Sequence, residues 1–260
     1  MNGLAHFGER FSLAGRRVFI SGASSGIGLH LAGLCAEAGA QLALASRRKD
    51  LLDKAVAALK QRGARALAIE LDLLSSASIA DAIDAAEAGF GAPIDVLVNN
   101  AGVIQLARFT DQTEADIDRV LDTNLRGAML LAQHAARRMI AAKCAGNIIN
   151  IGSAGALRAG SWTGAYAAAK AGLLHLTQVM AVELASKGIR VNSLCPGNTD
   201  TDMIAGLRDN ADAIIKRTPL GRFGQPDDLD GAFLLLASDA GRYMTGTNIT
   251  VDGGLTLAWV

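Results

Sequence analysis

No charge of one sign predominates in this chain: 25 Lys and Arg residues face 25 Asp and Glu residues, a formal net charge of zero. Such a balance supplies no global field to draw the protein onto nucleic acid or an anionic membrane, so neither is expected as a partner. Cysteine is scarce. Cys35, Cys144 and Cys195 are odd in number and widely spaced, and none belongs to a Cys-x-x-Cys pair or a Cys/His ligand cluster, so no metal is expected and free thiols in a reducing compartment fit best. Long apolar runs are missing as well. Residues 1–10 carry His6, Glu9 and Arg10 among small residues, with no apolar core of signal-peptide length, and nothing elsewhere approaches a membrane span. A cytoplasmic protein whose partners are small molecules or copies of itself is the expectation.

What is present is a chain of 260 residues, half of them hydrophobic, long enough for one large α/β domain. No linker, low-complexity tract or fixed-period repeat divides it. Short segments rich in Val, Ile and Leu alternate with longer helical patterns, as expected of strands buried on both faces of a parallel sheet. Strands are expected at residues 17–21, 41–45, 66–71, 96–99, 147–151, 190–194 and 248–251. Helices are expected at 26–38, 49–62, 75–89, 113–142, 166–186 and 227–236. Strict alternation of the two implies a doubly wound, Rossmann-type parallel sheet of about seven strands with helices on both faces. The stretch from Pro196 to Gly224 holds two of the four prolines and several glycines. It leaves the end of the sixth strand, where ligands bind in such sheets, and is expected to be a mobile substrate lid.

The first strand runs directly into Ser21-Gly22-Ala23-Ser24-Ser25-Gly26-Ile27-Gly28. Glycines there let a tight turn bring backbone amides up to a pyrophosphate, which the N-terminus of the following helix also favours. Three residues separate the first two glycines, unlike the common Gly-x-Gly-x-x-Gly fingerprint. In order along the chain follow Asn99-Asn100-Ala101-Gly102, Asn124 within the next helix, Ser153, Tyr166 and Lys170 as Tyr-x-x-x-Lys, and Pro196-Gly197. Together these residues resemble the short-chain dehydrogenase/reductase family over almost the whole chain.

Tyr166 and Lys170 lie one helical turn apart, with β-carbons roughly 6 Å apart, so an ammonium can sit near the phenol. A nearby positive charge favours phenolate and is expected to lower the tyrosine from its usual value of about 10 towards neutrality, fitting it to give or take a proton. The resemblance implies the remaining roles. Ser153 bonds the substrate oxygen, Tyr166 is the general acid or base, Lys170 tunes it and holds the nicotinamide ribose, and Asn124 anchors a proton-relay water. It also implies cofactor contacts from Gly22, Ser24, Ser25, Gly26, Ile27, Gly28, Asp72, Leu73, Asn99, Ala101, Gly102, Pro196, Gly197, Thr199 and Thr201, besides Tyr166 and Lys170. Asp122-Thr123-Asn124 interrupts the long helical pattern where the family bends that helix.

The second strand ends Ala45-Ser46-Arg47-Arg48, with no carboxylate before Asp50. An acidic residue at this point would read the adenosine ribose of NAD, whereas arginine pairs with the 2′-phosphate of NADP. NADP(H) is therefore favoured and NAD(H) possible, since many NADP-preferring relatives carry Arg or Lys where this chain has Ser25. Departures from the family pattern are Ser21 for Thr, which keeps the hydroxyl, and Thr199 for a Val or Ile.

Substrate contacts are expected from Ser153, Ala154, Gln105, Trp162, Asn198 and Met203, with Arg158 a further polar reader. That mixture suits a small or medium apolar ketone without selecting one. The helix of Tyr166 is crowded with alanines and Gly172, and family members commonly form tetramers through it and the 113–142 helix, so a homotetramer is expected. Two other readings use the same fold: a nicotinamide-binding sensor without turnover, which would be expected to lack the tyrosine or lysine, and a non-redox epimerase or lyase that also uses Tyr166.

Overall fold

The computed structural model describes residues 8–204, 206 and 211–257. Seven strands form one parallel sheet in the order β3-β2-β1-β4-β5-β6-β7. They are β1 (Arg17–Ser21), β2 (Gln41–Ser46), β3 (Ala66–Glu70), β4 (Val96–Asn99), β5 (Gly146–Ile151), β6 (Ile189–Pro196) and β7 (Asn248–Val251). The helices between them are α1 (Gly26–Glu37), α2 (Lys49–Gln61), α3 (Ser76–Phe90), α4 (Glu114–Leu121), α5 (Ala128–Ala141), α6 (Gly164–Leu184), α7 (Ala211–Arg217) and α8 (Asp230–Ala237). Every expected strand is present, within a few residues at the ends.

The continuous apolar runs form strands because both faces are covered, and alternation sorts their side chains between two cores. Val18, Ile20, Leu42 and Leu44 pack with Leu31 and Leu52 of α1 and α2 and with Phe233 of α8. Phe19, Ala43, Ala45 and Leu97 face the other way, against Ile79 and Ile83 of α3 and Leu131 and Ala135 of α5. Strand order reverses between β1 and β4, and a crevice opens there at the carboxyl ends of the strands.

Two helical expectations need correction, and one helix was not expected. The 113–142 pattern is two helices joined by a π-helical stretch, Asp122–Gly127, which re-aims the chain at the point where Asn124 turns inward. The 227–236 pattern becomes helical only at Asp230, because Pro226 opens a 3-10 turn over Pro226–Leu229. The 196–224 stretch contains α7, and a bridge between Thr199 and Gly224 joins its ends. Positions 205 and 207–210 of that stretch lie outside the described residues.

Candidate active site

The crevice is a cleft of about 970 Å³ above the carboxyl ends of β1, β2, β4, β5 and β6. Its floor at one end is the glycine turn. Gly22 has φ +69°, and a β-carbon there would lie 2.7 Å from the Ala101 Cα, so only glycine lets the two loops touch. The Ser21 hydroxyl accepts the amides of both Asn100 and Ala101 at 3.1 Å, and the Asn100 side chain donates to the carbonyls of Ser21 and Gly22. One hydroxyl thus locks the first loop to the second, which explains why serine serves at this position.

Gly22, Ser24, Ser25, Gly26 and Ile27 line this end, as do Ser46, Arg47, Arg48, Asp72, Leu73, Ala101 and Gly102. Gly28 does not. It packs behind the turn, where a β-carbon would come within 2.5 Å of the Gly22 carbonyl oxygen. The Arg48 guanidinium lies over the turn and donates to Ser24 Oγ at 2.8 Å and to Ser25 Oγ at 2.6 Å. Those hydroxyls hold a cation at the mouth of the cleft. Asn99 was expected as a cofactor contact and is instead buried. It is the last residue of β4, so its side chain points into the core, donating to the Ala128 carbonyl and to Asn150 Oδ1. Asn100, one residue on, faces the cleft instead.

At the other end Ser153, Ala154, Tyr166, Lys170, Pro196, Gly197, Asn198, Thr199, Thr201 and Met203 line the cleft. Tyr166 and Lys170 come from α6, with the Lys170 nitrogen 5.9 Å from the centre of the tyrosine ring. That nitrogen donates to the Ile151 carbonyl at 2.6 Å. Asn124 sits one layer behind: its amide takes both the N–H and the C=O of Val103, at 2.8 and 2.7 Å, and backs onto Gly102.

The electrostatics depart from expectation. Burial pushes the Tyr166 phenol above its ordinary value, a hydrogen bond with Ser153 pulls it back, and Cys195 adds a smaller upward push. The lysine is not among the groups that shift the phenol, and burial pushes its own ammonium down to about 8.

Two expected substrate contacts stand away from the cleft. Gln105 accepts a hydrogen bond from Arg119 at 2.9 Å, and Trp162 is half-exposed with φ +68°. Its carbonyl accepts the Ala107 amide, tying the two loops at the cleft's edge. Residues not anticipated do line it, Arg119, Thr123, Leu255 and Thr256, besides Ile214 and Arg217 of the expected lid; of these, Leu255 and Thr256 come last in the chain. The last two arrive because Asp252 accepts the amides of Gly254 and Thr256, both at 2.8 Å, and so turns the tail inward. An Asp before two glycines is the available signal for that turn. Arg158 donates to the Leu255 and Thr256 carbonyls, so it braces this tail.

Comparison with known proteins covers the whole arrangement. A family profile described as Enoyl-(Acyl carrier protein) reductase matches residues 22–256. A gluconate 5-dehydrogenase of Gluconobacter oxydans (strain 621H) is 36% identical over 253 residues, covering 96% of this chain and 98% of that one. A short-chain type dehydrogenase/reductase structure from Mycobacterium marinum superposes with a TM-score of 0.92 at 39% identity, over 96% of this chain and 98% of that one. A gluconate 5-dehydrogenase from Burkholderia cenocepacia J2315, in complex with NADP and tartrate, gives 0.93 at 38% identity, over 98% and 100%. With the glycine turn, Ser153, Tyr166 and Lys170 assembled in one cleft, the chain belongs to the short-chain dehydrogenase/reductase family.

Proposed function

We propose that this protein is an NADP(H)-preferring oxidoreductase that interconverts a ketone and a secondary alcohol. The observation that carries the reading is the convergence of Ser153, Tyr166 and Lys170 on the cleft that begins at the glycine turn. A dinucleotide fits that turn because Gly22 and Gly26 leave backbone where side chains would stand and Arg48 is free of any carboxylate partner among the described residues. Gly22, Ser24, Ser25, Gly26 and Ile27 would hold the phosphates, Arg47 and Arg48 the 2′-phosphate, Asp72 the adenine, and Lys170 the ribose. The bound nicotinamide supplies or accepts the hydride.

The chain's own residues manage the proton. Ser153 hydrogen-bonds the substrate oxygen, and Tyr166, kept protonated by burial, donates its proton to that oxygen as charge develops in the reducing direction. Asn124, anchored on Val103, marks the start of the relay that restores the proton.

The substrate end favours an anion over the apolar ketone expected from sequence. Arg119, Arg158 and Arg217 line it, with Arg119 also paired to Asp116, and Asp202 is the one carboxylate lining that end; two of the relatives named above carry gluconate in their names. The direct test follows nicotinamide absorbance with NADPH against keto-sugar acids, neutral keto-sugars and apolar ketones. Consumption with the keto acids is expected, and cofactor binding without consumption of any carbonyl would favour the sensor reading.

The 196–224 stretch acts as a lid over the cofactor, supported by the bridge that joins its ends while Thr201, Met203 and Ile214 line the cleft. Equal hydrogen exchange with and without NADPH would remove it. A homotetramer is supported by exposed Met129 on α5 and by Val179 and Val182 on α6, and a monomer in solution scattering would overturn it. A cytoplasmic setting is supported by the free thiols Cys35, Cys144 and Cys195, and export of the protein in its source cell would refute it.

A further inference from the structure

Helix α6 carries the proton donor, and its N-terminus lacks an ordinary cap. Thr163 occupies the cap position, but its hydroxyl is turned away to donate to the Gly160 carbonyl at 3.0 Å and bonds no helix amide. The first amides of a helix have no partner within it and fray unless something accepts from them. Here the acceptor comes from another part of the chain. Gln112 Oε1 accepts the amide of Ala165, the residue before Tyr166, at 3.4 Å. Gly164 makes room for this approach: a β-carbon there would lie 3.1 Å from that same oxygen. The Gln112 side-chain nitrogen is buried with no hydrogen-bond partner among the described residues, so the side chain's one hydrogen bond there is the one its oxygen accepts from the helix start.

We propose that Gln112 is a positioning residue for the reaction: its amide oxygen caps helix α6 and thereby fixes the Tyr166 phenol against Ser153. The inference rests on the reading of Tyr166 as proton donor. Tyr166 is the third residue of α6, within the turn that the cap holds, whereas Lys170 lies a turn further on and is anchored separately to the Ile151 carbonyl. Loss of the cap therefore disturbs the proton donor and spares the lysine. The neighbouring Thr113 caps α4 by accepting from Asp116, so residues 112 and 113 together start the two helices on this side of the cleft.

The experiment compares Gln112→Ala and Gln112→Glu with the wild type in the full-length protein, and places Tyr166→Phe beside them. Since the chain has only two tyrosines and Tyr243 is fully exposed, a Tyr243→Phe background lets near-ultraviolet tyrosinate absorbance report Tyr166 alone. Lys170 and Cys195 are the titratable groups facing that phenol, and both are unchanged in every variant. Gln112→Ala is expected to lower kcat roughly tenfold with NADPH affinity unchanged, and to raise the tyrosinate midpoint as the Ser153 bond weakens. Gln112→Glu keeps an acceptor oxygen and should restore kcat; its added carboxylate disfavours phenolate in its own right, so the midpoint is compared between wild type and Gln112→Ala alone. Wild-type kcat and midpoint in Gln112→Ala would overturn the inference. So would a glutamate variant as impaired as the alanine one, or NADPH affinity falling in step with kcat. Turnover surviving in Tyr166→Phe would sink the assignment of Tyr166 itself, a result distinct from all of these.

Discussion

Replacing Arg48 by alanine should convert a cofactor preference into near indifference. Its guanidinium is held by Ser24 and Ser25 at the mouth of the cleft, so little side-chain freedom remains to be lost when a 2′-phosphate binds. Hydrogen bonds to a charged group contribute roughly 1.5–3 kcal/mol, and Arg48 is exposed, which places it at the lower end because solvent and salt screen it. With tenfold in affinity for about each 1.4 kcal/mol, Arg48→Ala should weaken NADPH binding about 10- to 30-fold. NADH, lacking the phosphate, should change by less than about threefold. Nicotinamide fluorescence titration at two ionic strengths reads both numbers, and added salt should narrow the wild-type preference. Ser25→Ala, which removes one of the serine contacts, should have a smaller effect in the same direction. Equal losses for NADPH and NADH in Arg48→Ala would refute the reasoning, since they would mean that the arginine supports the turn rather than reads the phosphate.

Arg47→Asp should shift preference towards NADH, because a carboxylate at the end of β2 repels the 2′-phosphate and accepts from a ribose hydroxyl; unchanged selectivity would show that Arg47 does not read the phosphate. Gly28→Ala should lower the melting temperature: alanine favours a helix by roughly 1 kcal/mol over glycine, but its β-carbon would stand 2.5 Å from the Gly22 carbonyl oxygen, and backbone cannot yield cheaply. A melting temperature at or above wild type would contradict that packing. Lys170→Met should stabilise the cofactor-free protein near pH 7 and lose that advantage as pH rises from about 8 towards 10.5. The sign follows because the unfolded lysine holds its proton across that window while the folded one has released it, so wild-type stability climbs there and the variant's does not. Urea midpoints of both proteins across the window test it in a Cys195→Ala background, because Lys170 and Cys195 act on each other, and taking their difference cancels Cys35 and Cys144, whose raised values act oppositely in each. A difference that does not vary with pH would refute it.

Much of this site was legible because parallel strands buried on both faces announce themselves as apolar runs, and the chemistry sits at their ends. Ser153 and Pro196-Gly197 needed only β5 and β6 to be located. Asn99 was misassigned for a reason that the same pattern contains: successive strand side chains alternate, so of two adjacent asparagines only one can face the cleft, and it is Asn100. Other features were not legible because they depend on contacts distant in sequence. Leu255 and Thr256 reach the cleft through Asp252 and are braced by Arg158, nearly a hundred positions earlier. The upward displacement of Tyr166 reflects burial, which the Tyr-x-x-x-Lys spacing does not encode.

The most direct test of the account is the turnover of Tyr166→Phe measured with NADPH and a carbonyl substrate, with cofactor affinity recorded on the same preparation. Removing the hydroxyl deletes the proton donor and leaves the glycine turn, Arg48 and Lys170 in place, so the account predicts wild-type NADPH binding with turnover lowered by roughly a hundredfold or more. Near-wild-type turnover in that variant would contradict it.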